Sequence, residues 1–161
     1  IGSPAIAPGV IAVGAVDSDG DLVDFSSRGS LEENIFRGKP DCLAPGTAVT
    51  APKTTFKEEP YGIPAPNKYY TRLDGTSMSC PNVSGALGIL TSALVAKGHQ
   101  PIEARRMAKD AIINTATSVK IGKPESGEHE DPNRKPGRDC RNHEAGNGLI
   151  NVSRAWRYLR I

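Results

Sequence analysis

The sequence predicts an α/β domain built on a parallel β-sheet, and three observations lead to that prediction. The segment Val10–Val16 is a continuous apolar run without polar alternation, which is typical of a strand buried on both faces of a parallel sheet. Between Met78 and Lys97, apolar residues occupy most of a helical wheel, which predicts a helix buried on most sides. Short strand-like segments precede the long helical ones along the chain, as in an α/β domain.

Composition and charge exclude several classes of protein. The chain has 161 residues, so we expect one domain or a large piece of one. A formal net charge of only +2, with both signs spread along the chain, predicts neither nucleic-acid binding nor a membrane-binding face. No apolar run is expected to reach the ~20 residues that a membrane span needs. The three cysteines, Cys42, Cys80 and Cys140, allow at most one internal disulfide and do not form a disulfide framework.

Short segments bounded by turn residues are predicted to form further strands. Leu22–Phe25 follows an Asp- and Gly-rich turn and is expected to form a short strand. Three further strand segments are predicted at Asp41–Ala44, Thr47–Ala51 and Tyr69–Leu73. The polar segments 53–67 and 119–145 are interpreted as surface insertions.

Two further helices are predicted from their end signals. Pro101 suits the first position of the second helix, where its missing N–H costs little. Asn151 is a favourable N-cap for a final helix that continues through Ala155, Trp156 and Leu159. The apolar face of the second helix is expected to contain Ile102, Met107, Ala108, Ala111, Ile112 and Ala116.

The segment Asp74–Gly85 carries the pattern with the clearest chemical meaning. It reads Asp-Gly-Thr-Ser-Met-Ser-Cys-Pro-Asn-Val-Ser-Gly and places Ser77 where a tight turn meets the first turn of an apolar helix. The N–H groups of a first helical turn lack intrahelical acceptors, and the helix dipole adds positive potential. An anion formed beside Ser77, as in acyl transfer, would therefore be stabilised. Gly75 permits a close approach of the backbone, and Pro81 is expected to be tolerated within the first helical turn.

On the residues alone, a serine before a helix is more often a helix cap than a nucleophile. However, Gly75-Thr76-Ser77-Met78, followed by Pro81 and Gly85, resembles the nucleophile signature of the subtilisin-like serine peptidases, the subtilase family. Other segments resemble that family in the same order. They are Val10–Val16 with Asp17 and Ser18, Phe25–Gly29, Leu43–Gly46 and Gly146–Val152. The resemblance implies a three-layer, parallel-sheet subtilisin-like fold, of which residues 1–161 would form the C-terminal portion as one domain.

The resemblance also implies roles for individual residues. Ser77 would attack the scissile peptide carbonyl, and its backbone N–H would donate to the oxyanion. Gly75, Thr76 and Met78 would shape the turn beside the nucleophile. Gly2 would line the floor of the pocket for the residue before the cleaved bond, the alternative being a flexible terminal glycine.

The partners of the nucleophile are expected in chain upstream of Ile1. The subtilase order is Asp, then His, then Ser. The histidines of this chain all follow Ser77 and match no catalytic position; they are His99, His129 and His143. The oxyanion-hole Asn of the family would also lie upstream. The chain alone is therefore expected to be inactive, with a polypeptide substrate and the N-terminal half of the same catalytic domain as its partners.

No cofactor and no metal site are expected in this chain. Asp17, Asp19 and Asp21 alternate with small residues but lack the spaced Glu of a calcium loop, so they are interpreted as a turn. Cys140 and His143 are too small a ligand set for structural zinc. Because subtilases often bind calcium through loops, the resemblance admits structural calcium in the full-length protein.

Two alternatives to an endopeptidase remain open. One is a non-catalytic subtilase-like binding module. The other is an exopeptidase similar to tripeptidyl-peptidase II, whose motif the run from Ser79 to Asn82 resembles, with Asn82 where the family often has His. Secretion is favoured by the family and a cytosolic location by that branch. Cys80 is expected to be a small buried residue. An unrelated nucleotide-binding domain is excluded, since no Gly-x-Gly-x-x-Gly follows a strand and no Walker loop occurs.

Overall fold

The computed structural model describes residues 1–29, 39–53, 65–119 and 144–161. Within these ranges the strands are β1 (Val13–Val16), β2 (Cys42–Pro45), β3 (Val49–Pro52) and β4 (Tyr70–Leu73). The helices are α1 (Thr76–Ala96), α2 (Pro101–Asn114) and α3 (Val152–Leu159). The predicted insertions at 53–67 and 119–145 fall mostly outside the described residues, as do Cys140, His129 and His143.

The sheet predicted from the apolar runs is parallel. β1 pairs with β2 in register, Val13 opposite Cys42 and Val16 opposite Pro45. Residues 148–150 continue the pairing on the far side of β2, where the Leu43 N–H donates to the Gly148 carbonyl at 2.8 Å and the Ile150 N–H to the Leu43 carbonyl at 3.0 Å. A strand flanked on both sides and covered by a helix is buried, which explains the apolar runs.

Helix α1 packs on this sheet through one stripe only. Its buried residues recur every three or four positions and are Ser79, Val83, Ala86, Leu90 and Leu94. The prediction of a helix buried on most sides is wrong, since Ile89 is 59% exposed and Val95 is 41% exposed. Among the described residues, the elements packed most extensively against α1 are β1, β2 and α2, and they cover that single stripe.

By length and composition alone, α1 could cross a membrane, so the expectation that no segment reaches that length is wrong. Its buried stripe nevertheless belongs to a core. Leu90 and Leu94 cluster with four buried residues of α2 and with Ala155 of α3; the α2 residues are Ala104, Ala108, Ala111 and Ile112. Through this stripe, α1 packs into the core that it forms with α2 and α3.

The end signals of α2 and α3 are confirmed. Pro101 is the first residue of α2, and the Asn151 side chain caps α3 by accepting the Arg154 N–H at 2.9 Å. The apolar face of α2 differs in its first turn, where Ile102 is 69% exposed and Ala104 is buried. Ala104 shares a face with Ala108 and Ala111, whereas Ile102 lies off that face.

Two of the differences between predicted and observed strands have a local cause. Leu22–Phe25 is not a strand, because Leu22 makes only one bridge to Val16 and the chain then turns. That turn brings the Ser26 Oγ to the Ala15 N–H, 3.0 Å away. β3 begins at Val49 rather than Thr47, since Ala48 takes a left-handed conformation with φ 50°. The Asp17 carboxylate accepts the N–H groups of Asp19 and Asp21, as a turn requires.

Candidate active site

Ser77 lies at the second position of α1, with an exposed side chain. The N-cap residue is Gly75, and no side chain of the described residues caps the helix. The alternative that Ser77 is a helix cap is therefore wrong. Gly75 has φ 151°, a conformation that glycine adopts at little cost and that L side chains rarely take. The hydroxyl is thus presented outward at the positive end of a 21-residue helix.

The backbone donors of this first turn are only partly used. The N–H groups of Met78 and Ser79 both donate to the Gly75 carbonyl, at 2.9 and 3.3 Å. In the described part of the chain, nothing accepts the N–H of Ser77. Because this N–H lies in the first turn of a helix, it is a donor suited to a developing negative charge.

Gly46, which follows β2, connects the Ser77 turn, meaning residues 74–78, to the sheet. Its N–H donates to the Val16 carbonyl at 2.9 Å, and its carbonyl accepts the Gly75 N–H at 2.7 Å. A Cβ at position 46 would stand 2.9 Å from the Gly75 carbonyl oxygen and would collide with the Ser79 Oγ. Glycine is therefore required here by close packing, which accounts for the Ala-Pro-Gly segment seen in the sequence.

Two polar side chains add further ties to the same turn. The Asp74 Oδ1 accepts the Ala48 N–H at 2.6 Å. The Asn82 Nδ2 donates to the carbonyls of Pro45 at 3.0 Å and Met78 at 3.2 Å. Sequence reasoning did not assign these contacts. For Asn82 the available signal was its departure from the usual family residue, and for Asp74 no signal existed.

Pro81 lies deeper in α1 than expected. It is the sixth helical residue, inside the helix rather than in its first turn. At this position a residue with an N–H would donate to the carbonyl four residues earlier, which is that of Ser77. Proline has no such donor, so the helix lacks one of its own hydrogen bonds at Ser77.

The other predicted site residues have simpler surroundings. Thr76 and Met78 are half-buried, and the Met78 Sδ lies 3.4 Å from where a Cβ of Gly75 would stand. Met78 therefore packs against the turn. Gly2 is exposed, with open space where a side chain would be. Its role in a substrate pocket stays a prediction.

His99 lies far from Ser77. It follows the C-terminal end of α1, and at 1.5 Å per residue the helix separates the two residues by about 30 Å. Its Nδ1 lies 3.8 Å from a Glu103 carboxylate oxygen. A general base must come within hydrogen-bond reach of the hydroxyl it activates, which His99 does not.

The two described cysteines have opposite environments. Cys80 is exposed, one turn after Ser77, so the expectation of a buried residue is wrong. Its Cα lies beside the buried stripe of α1 and not within it. Cys42 is fully buried in β2. Burial, together with Asp41 and Cys80, raises the pKa of the Cys42 thiol to about 12 against a smaller opposing effect of Lys39.

Across the described ranges, no group of three or more His, Cys, Asp or Glu side chains could hold a metal ion.

The parallel sheet, the exposed serine at the second position of α1 and the Gly75 turn before that helix are features of a subtilisin-like fold. Residues 1–148 match the sequence profile of the Subtilase family, and the chain belongs to that family. It is 34% identical to subtilisin DY of Bacillus licheniformis over 119 residues, which are 74% of this chain and 34% of that protein. It is 31% identical over 138 residues to the subtilisin-like protease SBT1.6 of Arabidopsis thaliana, covering 83% of this chain and 16% of that protein.

Solved structures agree with this assignment. The patellamide maturation protease PatA superposes with a TM-score of 0.65 at 29% identity, over 98% of this chain and 45% of that one. The PatG macrocyclase in complex with peptide gives a TM-score of 0.63 at 26% identity, over 98% and 38% of the two chains. The predicted subtilisin-like fold is confirmed, and this chain spans about a third or less of the two curated relatives named above.

Proposed function

We propose that this chain is the nucleophile-bearing portion of a serine endopeptidase domain, in which Ser77 forms an acyl-enzyme with a polypeptide substrate. The observation that carries the proposal is the exposed Ser77 hydroxyl at a helix N-terminus that no side chain in the described ranges caps. Membership of the subtilase family supports the reaction class. The peptide bound to the PatG macrocyclase supports a polypeptide as the class of substrate.

In the proposed reaction, the Ser77 Oγ attacks the peptide carbonyl and its proton passes to a general base. The carbonyl oxygen becomes an oxyanion that the Ser77 N–H can stabilise, aided by the positive end of α1. The base passes that proton to the nitrogen of the breaking C–N bond and the amine leaves; water then hydrolyses the ester, releasing the carboxylic acid and restoring the Ser77 hydroxyl. Gly75, Thr76 and Met78 hold the turn, and Gly2 is proposed to line the substrate pocket. The reaction needs no cofactor.

The general base, its orienting Asp and the oxyanion Asn are proposed to come from the N-terminal half of the same catalytic domain. The distance from Ser77 to His99 supports this division. In subtilisin, loss of the base lowers kcat about 10⁶-fold. Loss of its oxyanion Asn lowers kcat about 10²–10³-fold. We therefore expect the chain by itself to hydrolyse no peptide at a measurable rate.

The surface of α1 supports the same partner. None of the 21 residues of α1 is charged, although helix faces in contact with water are normally polar or charged. The exposed face contains small and apolar residues, including Gly85, Gly88, Ile89 and Val95. We call this uncharged, exposed surface the bare α1 face. It begins near Ser77, so a domain half that packs against it would lie beside the nucleophile.

Labelling with a fluorophosphonate probe tests the proposal. In the full-length protein that contains this chain, the probe should react with the wild type and with Ser84→Ala but not with Ser77→Ala. Ser84 is a matched control, because it is an exposed serine of the same helix whose Oγ bonds to the Cys80 carbonyl at 3.1 Å. Peptide hydrolysis should follow the labelling. Equal labelling of Ser77→Ala, or none in the wild type, would instead favour a binding module.

A further inference from the structure

The side chain of Asn82 joins two parts of the fold that meet at the Ser77 turn. Its single amide nitrogen donates one hydrogen to the Pro45 carbonyl at the end of β2, at 3.0 Å. The other hydrogen goes to the Met78 carbonyl, which belongs to the residue after Ser77, at 3.2 Å. Both partners are acceptors, so the pair of bonds needs a side chain with two N–H donors, which the Asn82 amide supplies on one atom.

The first turn of α1 needs support from outside the helix. Pro81 cannot donate to the Ser77 carbonyl, so the helix does not hold Ser77 through its own hydrogen bond. On the other side of Ser77, the Gly75 N–H is bound to Gly46 rather than to the helix. The orientation of Ser77 therefore depends on the contacts made by its neighbours.

Those contacts converge on one dipeptide. The Gly46 carbonyl accepts the N–H of Gly75, which precedes Ser77. The Pro45 carbonyl accepts from the Asn82 amide, which also donates to the carbonyl of Met78, the residue after Ser77. Gly46 is itself bound to Val16 of the sheet at 2.9 Å. The Ser77 turn is thus fixed near the end of β2 from both sides: Gly75 and Asp74 make the attachments before Ser77, and Asn82 makes the one after it.

We propose that Asn82 is a positioning residue that sets the orientation of the Ser77 hydroxyl and N–H, an inference that rests on the proposed function. Asn82 does not touch the reacting atoms and acts through the Met78 carbonyl. Without the amide, the bonds that precede Ser77, Gly75 to Gly46 and Ala48 to Asp74, would remain, but the residue after Ser77 would lose its link to the end of β2. A displacement of about 1 Å of a reacting group can cost on the order of 10²-fold in rate, so a loosened turn lowers the chemical step while substrate binding persists.

The test uses three variants of the full-length protein in a peptide-hydrolysis assay. Asn82→Ala removes the amide, and Asn82→Asp keeps its shape but leaves a carboxylate with no hydrogen to donate at neutral pH. We expect both to lower kcat by about tenfold or more, with KM within about threefold of the wild type. Asn82→His keeps one ring N–H on each neutral tautomer and should recover part of kcat.

The matched control is Asn147→Ala. The Asn147 Nδ2 donates to the Asp41 carbonyl at 2.9 Å, which is the same kind of bond at the opposite end of β2. Asn147→Ala should lower the thermal midpoint about as much as Asn82→Ala yet keep the wild-type kcat. The inference is overturned if folded Asn82→Ala or Asn82→Asp keeps the wild-type kcat. It is also overturned if Asn147→Ala lowers kcat as much as Asn82→Ala does. Should Asn82→Ala not fold, the isosteric Asn82→Asp decides. Activity that survives Ser77→Ala would defeat the proposed function instead.

Discussion

Cys80 and Cys42 differ in reactivity for reasons that the structure makes explicit. Cys80 is exposed on the second turn of α1, whereas Cys42 is buried in β2. The pKa of Cys42 is raised to about 12, chiefly because burial disfavours the thiolate. Since the thiolate is the nucleophile in alkylation, the exposure of Cys80 and the raised pKa of Cys42 both make Cys80 the more reactive of the two.

Iodoacetamide at pH 8 should therefore modify Cys80 of the native protein much faster than Cys42. Peptide mapping by mass spectrometry separates both sites from Cys140. In denaturant the two rates should become similar, since unfolding returns the Cys42 pKa to its ordinary value. Because its folded pKa is raised, Cys42 should favour the native state below about pH 9 and lose this contribution as the pH approaches 12. Equal native rates would contradict the assigned burial.

Ser79 carries an unusual polar group. Its hydroxyl is fully buried against Gly46 and has no hydrogen-bond partner among the described residues. A buried hydroxyl without a partner costs on the order of 1–3 kcal/mol. Ser79→Ala should therefore increase the free energy of unfolding of the full-length protein by about 1 kcal/mol. Urea unfolding measures this, with Ser84→Ala as the exposed control; a loss of stability in Ser79→Ala would show that the hydroxyl is satisfied after all.

At the scale of elements, the junction between β2 and α1 tolerates little added volume. A methyl group at Gly46 would press on the Gly75 carbonyl and on Ala15 of β1. Added volume in a packed site costs about 1–3 kcal/mol. Gly46→Ala should therefore destabilise the full-length protein by that amount and displace the Ser77 turn.

Thermal unfolding and probe labelling together check this expectation, because both the thermal midpoint and the labelling rate of Ser77 should fall. The matched control is Gly98→Ala, where a Cβ would meet open space and the only penalty is a positive φ of 97° far from Ser77. Gly98→Ala should lower stability without slowing the labelling of Ser77. A Gly46→Ala protein with wild-type values of both would refute the importance of this contact.

The elements that the sequence predicted well are those specified by local chemistry. Pro101 and Asn151 mark helix starts through backbone constraints and a side-chain bond that involve only neighbouring residues. The exposure of Cys80 and the turn after Leu22 depend on which elements pack nearby, so periodicity could not predict them. The Ser77 motif was recognised from its residues, but the contacts of Asn82 with Pro45 and of Gly46 with Gly75 join segments 37 and 29 positions apart in sequence and required the fold.

At the scale of the whole molecule, the bare α1 face should decide how the isolated chain behaves. An uncharged helix face that includes Ile89 at 59% exposure and Val95 at 41% favours association or dye binding in water. We expect the isolated chain to bind anilinonaphthalene sulfonate and to form concentration-dependent oligomers in sedimentation velocity. The full-length protein should do neither. A monomeric isolated chain without dye binding would remove this support for the proposed N-terminal domain half.

The same uncharged surface has a consequence for how the proposed enzyme could be reassembled from two polypeptides. If the half that carries the base is added in trans, turnover should appear only after the two chains meet, with an onset rate proportional to their concentrations. A bulky substitution at Gly88, which has open space around it in this chain, would then slow the appearance of turnover while the isolated chain stays intact. If the protein is divided in this way, the rate of peptide cleavage would measure the association of the two chains.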